Sequence, residues 1–170
     1  DNYSARHSQV YWNLNEIRAE GMRAPFQNRA DAIQEIQRLI ETNIANQSIA
    51  DVDVGVFLSG GIDSTLVTAL LQRQCGTPVK SFTVGFDVPA FNEAAFSRAL
   101  SAHLGTIHHE LTVSESDLLA QVELLPEVYD EPLANPAQIP MMLLSKYARE
   151  HVKVSLSGDG GDELFGGYNR

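Results

Sequence analysis

The sequence predicts an α/β protein with one parallel sheet and helices on both of its faces. Strand-like and helix-like segments alternate along the chain, with helices of about 10–15 residues between the strands. The segment Val52 to Leu58 is almost wholly apolar, as expected of a central parallel strand that is covered on both faces. A chain of 170 residues is long enough for one domain with a sizeable core.

Four strands and five helices are predicted. The strands cover residues 52–58, 79–86, 106–113 and 152–156. The third strand alternates polar and apolar residues enough to lie nearer a sheet edge. The helices cover residues 31–47, 63–74, 91–104, 114 to about 128, and 141–151.

Local signals support several of these helices. In the first, Ile33, Ile36, Ile40 and Ile44 recur at helical spacing, which predicts a core-facing stripe. Gly105 stands where a helix commonly ends. Residues 1–28 are weakly periodic and are interpreted as an N-terminal arm or linker, which leaves residues 29–170 as the domain.

Composition limits the classes of partner. Hydrophobic residues make up 44% of the chain and charged residues 20%, and the formal net charge is −10. This acidity argues against a nucleic-acid partner, but not against ATP, because backbone N–H groups and a divalent cation can hold phosphates. No apolar run approaches a membrane span, so no membrane partner and a cytoplasmic location are expected. The single cysteine, Cys75, excludes an intrachain disulfide.

A phosphate-binding loop is predicted at Val54 to Ser64, which reads VGVFLSGGIDS. A strand, a Gly-Gly turn and a helix N-terminus together present backbone N–H groups and the positive end of the helix dipole. Ser59 and Ser64 add hydroxyl donors. No Lys occurs between Val54 and Gln72, so this is not a Walker loop. A G-x-G-x-x-G dinucleotide fingerprint is missing too. The remaining pattern, SGGxDS, resembles the pyrophosphate-binding loop (PP-loop) of ATP pyrophosphatases.

A second glycine-rich loop, Ser157 to Glu163, follows the fourth strand. In parallel sheets ligands bind beyond the carboxyl ends of the strands. If the first and fourth strands are neighbours, Asp63 and Asp162 face one crevice. Two carboxylates facing a polyphosphate would form a Mg²⁺ site, with phosphate oxygens and water completing the octahedron.

Five motifs, taken together, resemble the glutamine-hydrolysing asparagine synthetases, which are glutamine amidotransferases. They occur in the order seen in that family: SGGIDS at 59–64, SFTVGF at 81–86, HLGTIHHE at 103–110, DEPLANPAQIP at 130–140 and SGDGGDELFGGY at 157–168. The match covers most of the chain, from Tyr11 to Arg170. It implies the front part of the synthetase domain, with an adenine nucleotide alpha hydrolase-like fold.

The resemblance implies an ATP-dependent ligase of asparagine biosynthesis with ATP and Mg²⁺ as cofactors. The carboxylate of aspartate or a related acid attacks the α-phosphorus of ATP, pyrophosphate leaves, and ammonia converts the acyl-adenylate to an amide and AMP. The implied pyrophosphate ligands are Ser59, Gly60, Gly61, Asp63 and Ser64. The implied adenine neighbours are Phe57, Val84, Ser157 and Gly158. The implied Mg²⁺ ligands are Asp63 and Asp162.

Asp159 departs from the family pattern. Similar synthetases usually carry Glu there, where it helps orient the acyl-adenylate, so Asp159 is the implied catalytic residue and the identity of the acid is open. Asp130 and Glu131 could line the acid's pocket or end a helix. His108 and His109 point to opposite faces of a strand and are interpreted as structural.

The glutaminase domain that supplies ammonia in this family is absent from the chain, and the family's transition-state Lys would lie past Arg170. The chain is therefore expected to be a fragment of a longer enzyme and to be inactive alone. Whether the longer enzyme forms a homodimer is left open. Two alternatives remain: another ATP pyrophosphatase, or a non-catalytic nucleotide-binding module on the same fold. The latter would lack the Asp63/Asp162 pair.

Overall fold

The computed structural model describes residues 9–88 and 92–168. It divides into two compact units, Asp1–Ile40 and Glu41–Arg170. The predicted loop at residues 89–90 and the predicted helix start at Phe91 lie outside the described residues.

The first unit contains helix α1, Leu14–Arg23, which the sequence did not predict. The side chain of Asn13 caps this helix by accepting a hydrogen bond from the N–H of Asn15 at 2.9 Å. No residue of α1 is buried. The predicted arm thus holds a helix, while its separation from the domain at residue 28 stays a prediction.

Helix α2, Arg29–Gln47, begins beside Asn28, whose side chain accepts a hydrogen bond from the N–H of Asp31 at 2.9 Å. The expected core stripe of isoleucines is confirmed only at Ile44, which is 4% exposed, whereas Ile33 is 52% exposed. Within the second unit, Glu41 joins the last part of α2 to the helix Ile62–Gln74, which is α3. Its carboxylate pairs with Arg73 at 2.5 Å, and its carbonyl accepts a hydrogen bond from Gln74.

The second unit is built on a four-stranded parallel sheet in the order β3-β2-β1-β4. The strands are β1 Val54–Phe57, β2 Lys80–Phe86, β3 Ile107–Val113 and β4 Val154–Leu156. All four were predicted, and β3 lies at an edge as expected. β1 pairs directly with β4, and the strand order reverses between them.

The second unit's helices are α3 Ile62–Gln74, α4 Ala94–Leu104, α5 Glu115–Gln121, α6 Leu125–Val128, α7 Gln138–Ala148 and α8 Gly161–Phe165. Successive residues of β2 show that helices cover both faces of the sheet. The Phe82 ring packs with Leu144 and Ala148 of α7. On the opposite face, Ser81 Oγ lies 2.9 Å from Thr106 Oγ1, which lies 2.6 Å from Ser101 Oγ of α4.

Two predicted helices differ in detail. The helix expected from residue 114 to about 128 is divided into α5, a 3₁₀ turn at Val122–Leu124, and α6. Pro126 accounts for this break, because it cannot donate to the carbonyl of Val122 and its ring crowds that carbonyl. Helix α7 begins at Gln138, earlier than predicted, because a first turn tolerates Pro140.

None of the helices in the described ranges is long and apolar enough to cross a membrane.

Candidate functional site

A cleft of about 830 Å³ lies at the carboxyl edge of the sheet. The loops that follow β1 and β4 both line it, where the strand order reverses. This is the position at which open parallel sheets bind ligands. The adjacency of β1 and β4 confirms the condition on which the predicted meeting of the two loops depended.

The first loop is closed by its two serines. Ser59 Oγ and Ser64 Oγ lie 3.0 Å apart, and Ser64 Oγ also accepts a hydrogen bond from the N–H of Ser59 at 3.2 Å. Gly61 precedes α3 and offers no side-chain cap. The first residues of α3, Ile62 and Asp63, line the cleft. This helix end therefore presents uncapped backbone donors and its positive dipole end to the cleft.

The second loop packs directly on the first through glycines. A Cβ atom added to Gly158 would lie 2.6 Å from the backbone nitrogen of Ser64. One added to Gly161 would overlap the carboxylate of Asp63. Side chains at these positions would push the loops apart. The two loops therefore form a single surface, and Asp63 reaches the residue next to Asp162.

The second loop also fixes its own acidic residues. Ser157 Oγ donates to Asp159 Oδ2 at 3.1 Å and lies 3.4 Å from the N–H of Asp159. Asp162 lies in the first turn of α8, and its carboxylate lies against Gly167, where a Cβ atom would overlap it. Gly160 has φ +93°, which lets the chain turn into α8.

Most of the predicted site residues are brought together. The cleft wall includes Phe57, Ser59, Gly61, Asp63, Ser64, Val84, Ser157, Gly158, Asp159 and Asp162. Gly60 is the exception, because its φ of +84° turns it toward Phe96 and Ser97 of α4, behind the loop. That the predicted site residues bind nucleotide stays a prediction, as does the catalytic role of Asp159.

The donor set at the junction of the loops suits a hard cation that keeps several non-protein ligands. Asp63 and Asp162 supply carboxylate oxygens, which Mg²⁺ prefers. Within residues 9–88 and 92–168, no group of three or more His, Cys, Asp or Glu side chains is arranged to hold a metal ion. A cation at the pair would therefore need phosphate oxygens or water to complete its coordination.

Other walls of the cleft were not predicted. Phe86 ends β2 and Glu93 precedes α4, and α7 adds the apolar residues Pro140, Met141 and Leu144. The rule that ligands lie at the carboxyl ends of strands points to the segment after β2, but nothing local identifies the α7 wall. Asp130 and Glu131 are not among the residues that line the cleft.

The two histidines of β3 lie away from the cleft. Nδ1 of His108 is 3.2 Å from Ser81 Oγ. On the other face, the His109 ring stacks on Phe82 and lies 4.1 Å from the His151 ring, between centroids. Burial lowers the pKa of both His108 and His109. These contacts are those of packed structural side chains.

Comparison with known proteins identifies relatives over most of the chain. The sequence profile of the asparagine synthase family matches residues 35–170. Asparagine synthetase [glutamine-hydrolyzing] 1 of Bacillus subtilis is 36% identical over 146 residues, which are 85% of this chain and 23% of that protein. Asparagine synthetase B [glutamine-hydrolyzing] of Escherichia coli is 33% identical over 151 residues, with coverages of 79% and 27%. The chain spans about a quarter of the length of these relatives.

Solved structures share the fold at low sequence identity. An NH3-dependent NAD synthetase from Campylobacter jejuni superposes with a TM-score of 0.56 at 21% identity, over 79% of this chain and 60% of that one. An NMN synthetase from Francisella tularensis gives 0.51 at 21% identity, with coverages of 78% and 58%. These likenesses confirm the predicted fold class.

The matched profile covers both loops, the sheet and the cleft between them. Two curated relatives exceed 30% identity over more than three quarters of the chain. The chain belongs to the asparagine synthase family.

Proposed function

We propose that this chain forms the nucleotide-binding front part of a longer ATP-dependent amide ligase. The observation that carries the proposal is the direct packing of Gly158 and Gly161 on Ser64 and Asp63, which joins the two loops. Family membership supports a ligase of the asparagine synthetase type. The fold, shared with two synthetases, is consistent with ATP use.

In this proposal the first loop binds the β- and γ-phosphates of ATP. The uncapped N–H groups at the start of α3 and the hydroxyls of Ser59 and Ser64 donate to phosphate oxygens. Asp63 and Asp162 hold Mg²⁺, which when bound neutralises charge on the departing pyrophosphate. The adenine lies against the backbone of Phe57, Val84 and Gly158, with Ser157 beside it.

The acid substrate occupies the part of the cleft near Asp159, which orients it. One oxygen of its carboxylate attacks the α-phosphorus, and the bond to the β-phosphate breaks as pyrophosphate leaves with the electron pair. Ammonia then attacks the acyl carbon, AMP leaves, and the nitrogen loses a proton to give the amide. The ammonia comes from glutamine, hydrolysed by a domain outside this chain. Aspartate is the proposed acid, with related carboxylates open.

Calorimetric titration with Mg²⁺ and a non-hydrolysable ATP analogue tests this proposal. Saturable binding is expected, and Asp63→Asn or Asp162→Asn should each weaken it tenfold or more, about 1.4 kcal/mol. Asp51→Asn is the matched control, since Asp51 is exposed and outside the cleft.

Two results would contradict the proposal. If the chain is shown to be folded and binds no nucleotide, the proposed nucleotide site does not exist in it. Binding that is indifferent to a chelator and to both substitutions would indicate a nucleotide-binding module without a metal. If binding behaves as expected, pyrophosphate release that requires aspartate, measured in the longer protein, tests the adenylation step.

A further inference from the structure

Glu93 lines the cleft and has no part in the chemistry proposed above. Its main-chain carbonyl accepts hydrogen bonds from the N–H groups of Phe96 and Ser97 at 3.0 and 3.2 Å, so its backbone is fixed at the start of α4. Within residues 9–88 and 92–168, its side chain makes no hydrogen bond or ion pair. An exposed carboxylate on a residue that lines a ligand cleft, with no partner among the described residues, is available to a ligand.

The first turn of α4 fixes where Glu93 stands. At Gly85, near the end of β2, an added Cβ atom would lie 3.1 Å from Ala94 Cβ. At Gly60, in the phosphate loop, it would lie 3.3 Å from Phe96 Cβ. The start of α4 therefore packs against the end of β2 and against the back of the phosphate loop, and Glu93, which precedes α4, lines the cleft beside them.

In the proposed function, the sugar of the bound nucleotide lies in the part of the cleft next to Glu93. In the proposed function the adenine sits at Val84 of β2 and the phosphates sit on the loop from Ser59 to Gly61. The ribose joins the two and so passes the start of α4. An anionic side chain so close to phosphates would repel them unless it faced a cation or neutral donors. A vicinal diol supplies two neutral O–H donors, and a carboxylate has two oxygens to accept them.

We propose that Glu93 accepts hydrogen bonds from the 2′- and 3′-hydroxyls of the bound nucleotide and selects ribonucleotides. This inference rests on the proposed function and adds a residue to its nucleotide site. Acidic residues beyond the second strand play the same role in dinucleotide-binding sheets, where the phosphates also lie on the loop after the first strand.

The experiment is a binding cycle with two probes and two proteins. The probes are a non-hydrolysable ATP analogue and its 2′,3′-dideoxy counterpart, each with Mg²⁺. The proteins are the unmodified chain and Glu93→Gln, whose backbone contacts are unchanged. Glu123→Gln is the control, because it removes the same charge from an exposed side chain outside the cleft.

The expected result is a loss confined to the ribonucleotide. Glu93→Gln should weaken binding of the ribose probe tenfold or more and binding of the dideoxy probe less than twofold, while Glu123→Gln changes neither. Equal weakening of both probes would mean that Glu93 acts on the phosphates or the metal, and would overturn the inference. No change with either probe would overturn it too, because Glu93 would then make no contact with the bound nucleotide.

The two proposals fail differently. If the unmodified chain binds neither probe, the nucleotide site fails and Glu93 fails with it. If Asp63→Asn and Asp162→Asn weaken binding but the Glu93→Gln cycle shows no dependence on the hydroxyls, only the inference about the ribose is lost.

Discussion

Single glycines decide how closely the two loops approach. Gly158 packs on the backbone of Ser64, where flexible side-chain movement cannot relieve an added methyl group. Gly158→Ala should therefore lower the free energy of unfolding by about 1–3 kcal/mol. Gly76→Ala is the control, since nothing lies within 4 Å of its added Cβ atom. Denaturant unfolding measures both, and equal stability of the two variants would show that the loops are not packed as described.

The histidines of β3 make stability depend on pH. Burial lowers the pKa of His109, and His151, Lys80 and His108 lower it further. The folded chain therefore holds fewer protons than the unfolded chain below pH about 6.5. The stability that comes from keeping His109 neutral in the folded chain is complete above that pH, and it is lost as the pH falls through the lowered pKa.

His109→Phe tests this dependence, because a phenyl ring keeps the packing on Phe82 while removing the titrating group. The free energy of unfolding should fall less between about pH 7.5 and about pH 5 in this variant than in the unmodified chain. His103→Gln, on the exposed side of α4, should retain the full dependence. An unchanged pH profile in His109→Phe would contradict the assignment.

Among the elements, α7 links the core to the cleft. Leu144 is 5% exposed, packs with Phe82, and also lines the cleft. Leu144→Ala should lower the free energy of unfolding by about 2–5 kcal/mol. The control, Leu119→Ala, removes a side chain that is 64% exposed and should change it by less than about 0.5 kcal/mol. Similar denaturation midpoints for the two variants would mean that α7 does not pack on the sheet.

The sequence predicted a helix or strand most clearly where its residues are buried against the rest of the fold. The apolar run of β1 identified a central strand, and the structure places β1 between two neighbouring strands. Helix α1 carries no buried residue, and Leu14 and Ile17 at helical spacing were too few to identify a helix in a weakly periodic segment. The interruption before α6 depends on Pro126, a local signal that the long capped pattern from Ser114 obscured.

At the scale of the whole molecule, the sequence predicted which loops form the cleft but not all of its walls. Parallel strands end at one edge, so adjacency of β1 and β4 was enough to bring Asp63 and Asp162 to one place. The apolar wall from Pro140 to Leu144 depends on how α7 crosses the sheet, which is a tertiary arrangement. Glu93 also needed the structure, because its position follows from how α4 packs on Gly60 and Gly85.

The central claim is that the two loops form one metal–nucleotide site. A double-mutant cycle tests it most directly, with the affinity for Mg²⁺ and a non-hydrolysable ATP analogue measured for the unmodified chain, Asp63→Asn, Asp162→Asn and the double variant. If both carboxylates serve one cation, each single change weakens binding about tenfold or more, and the double variant binds little more weakly than the worse single. Losses that multiply, as for independent positions, or single changes without effect, would contradict the claim.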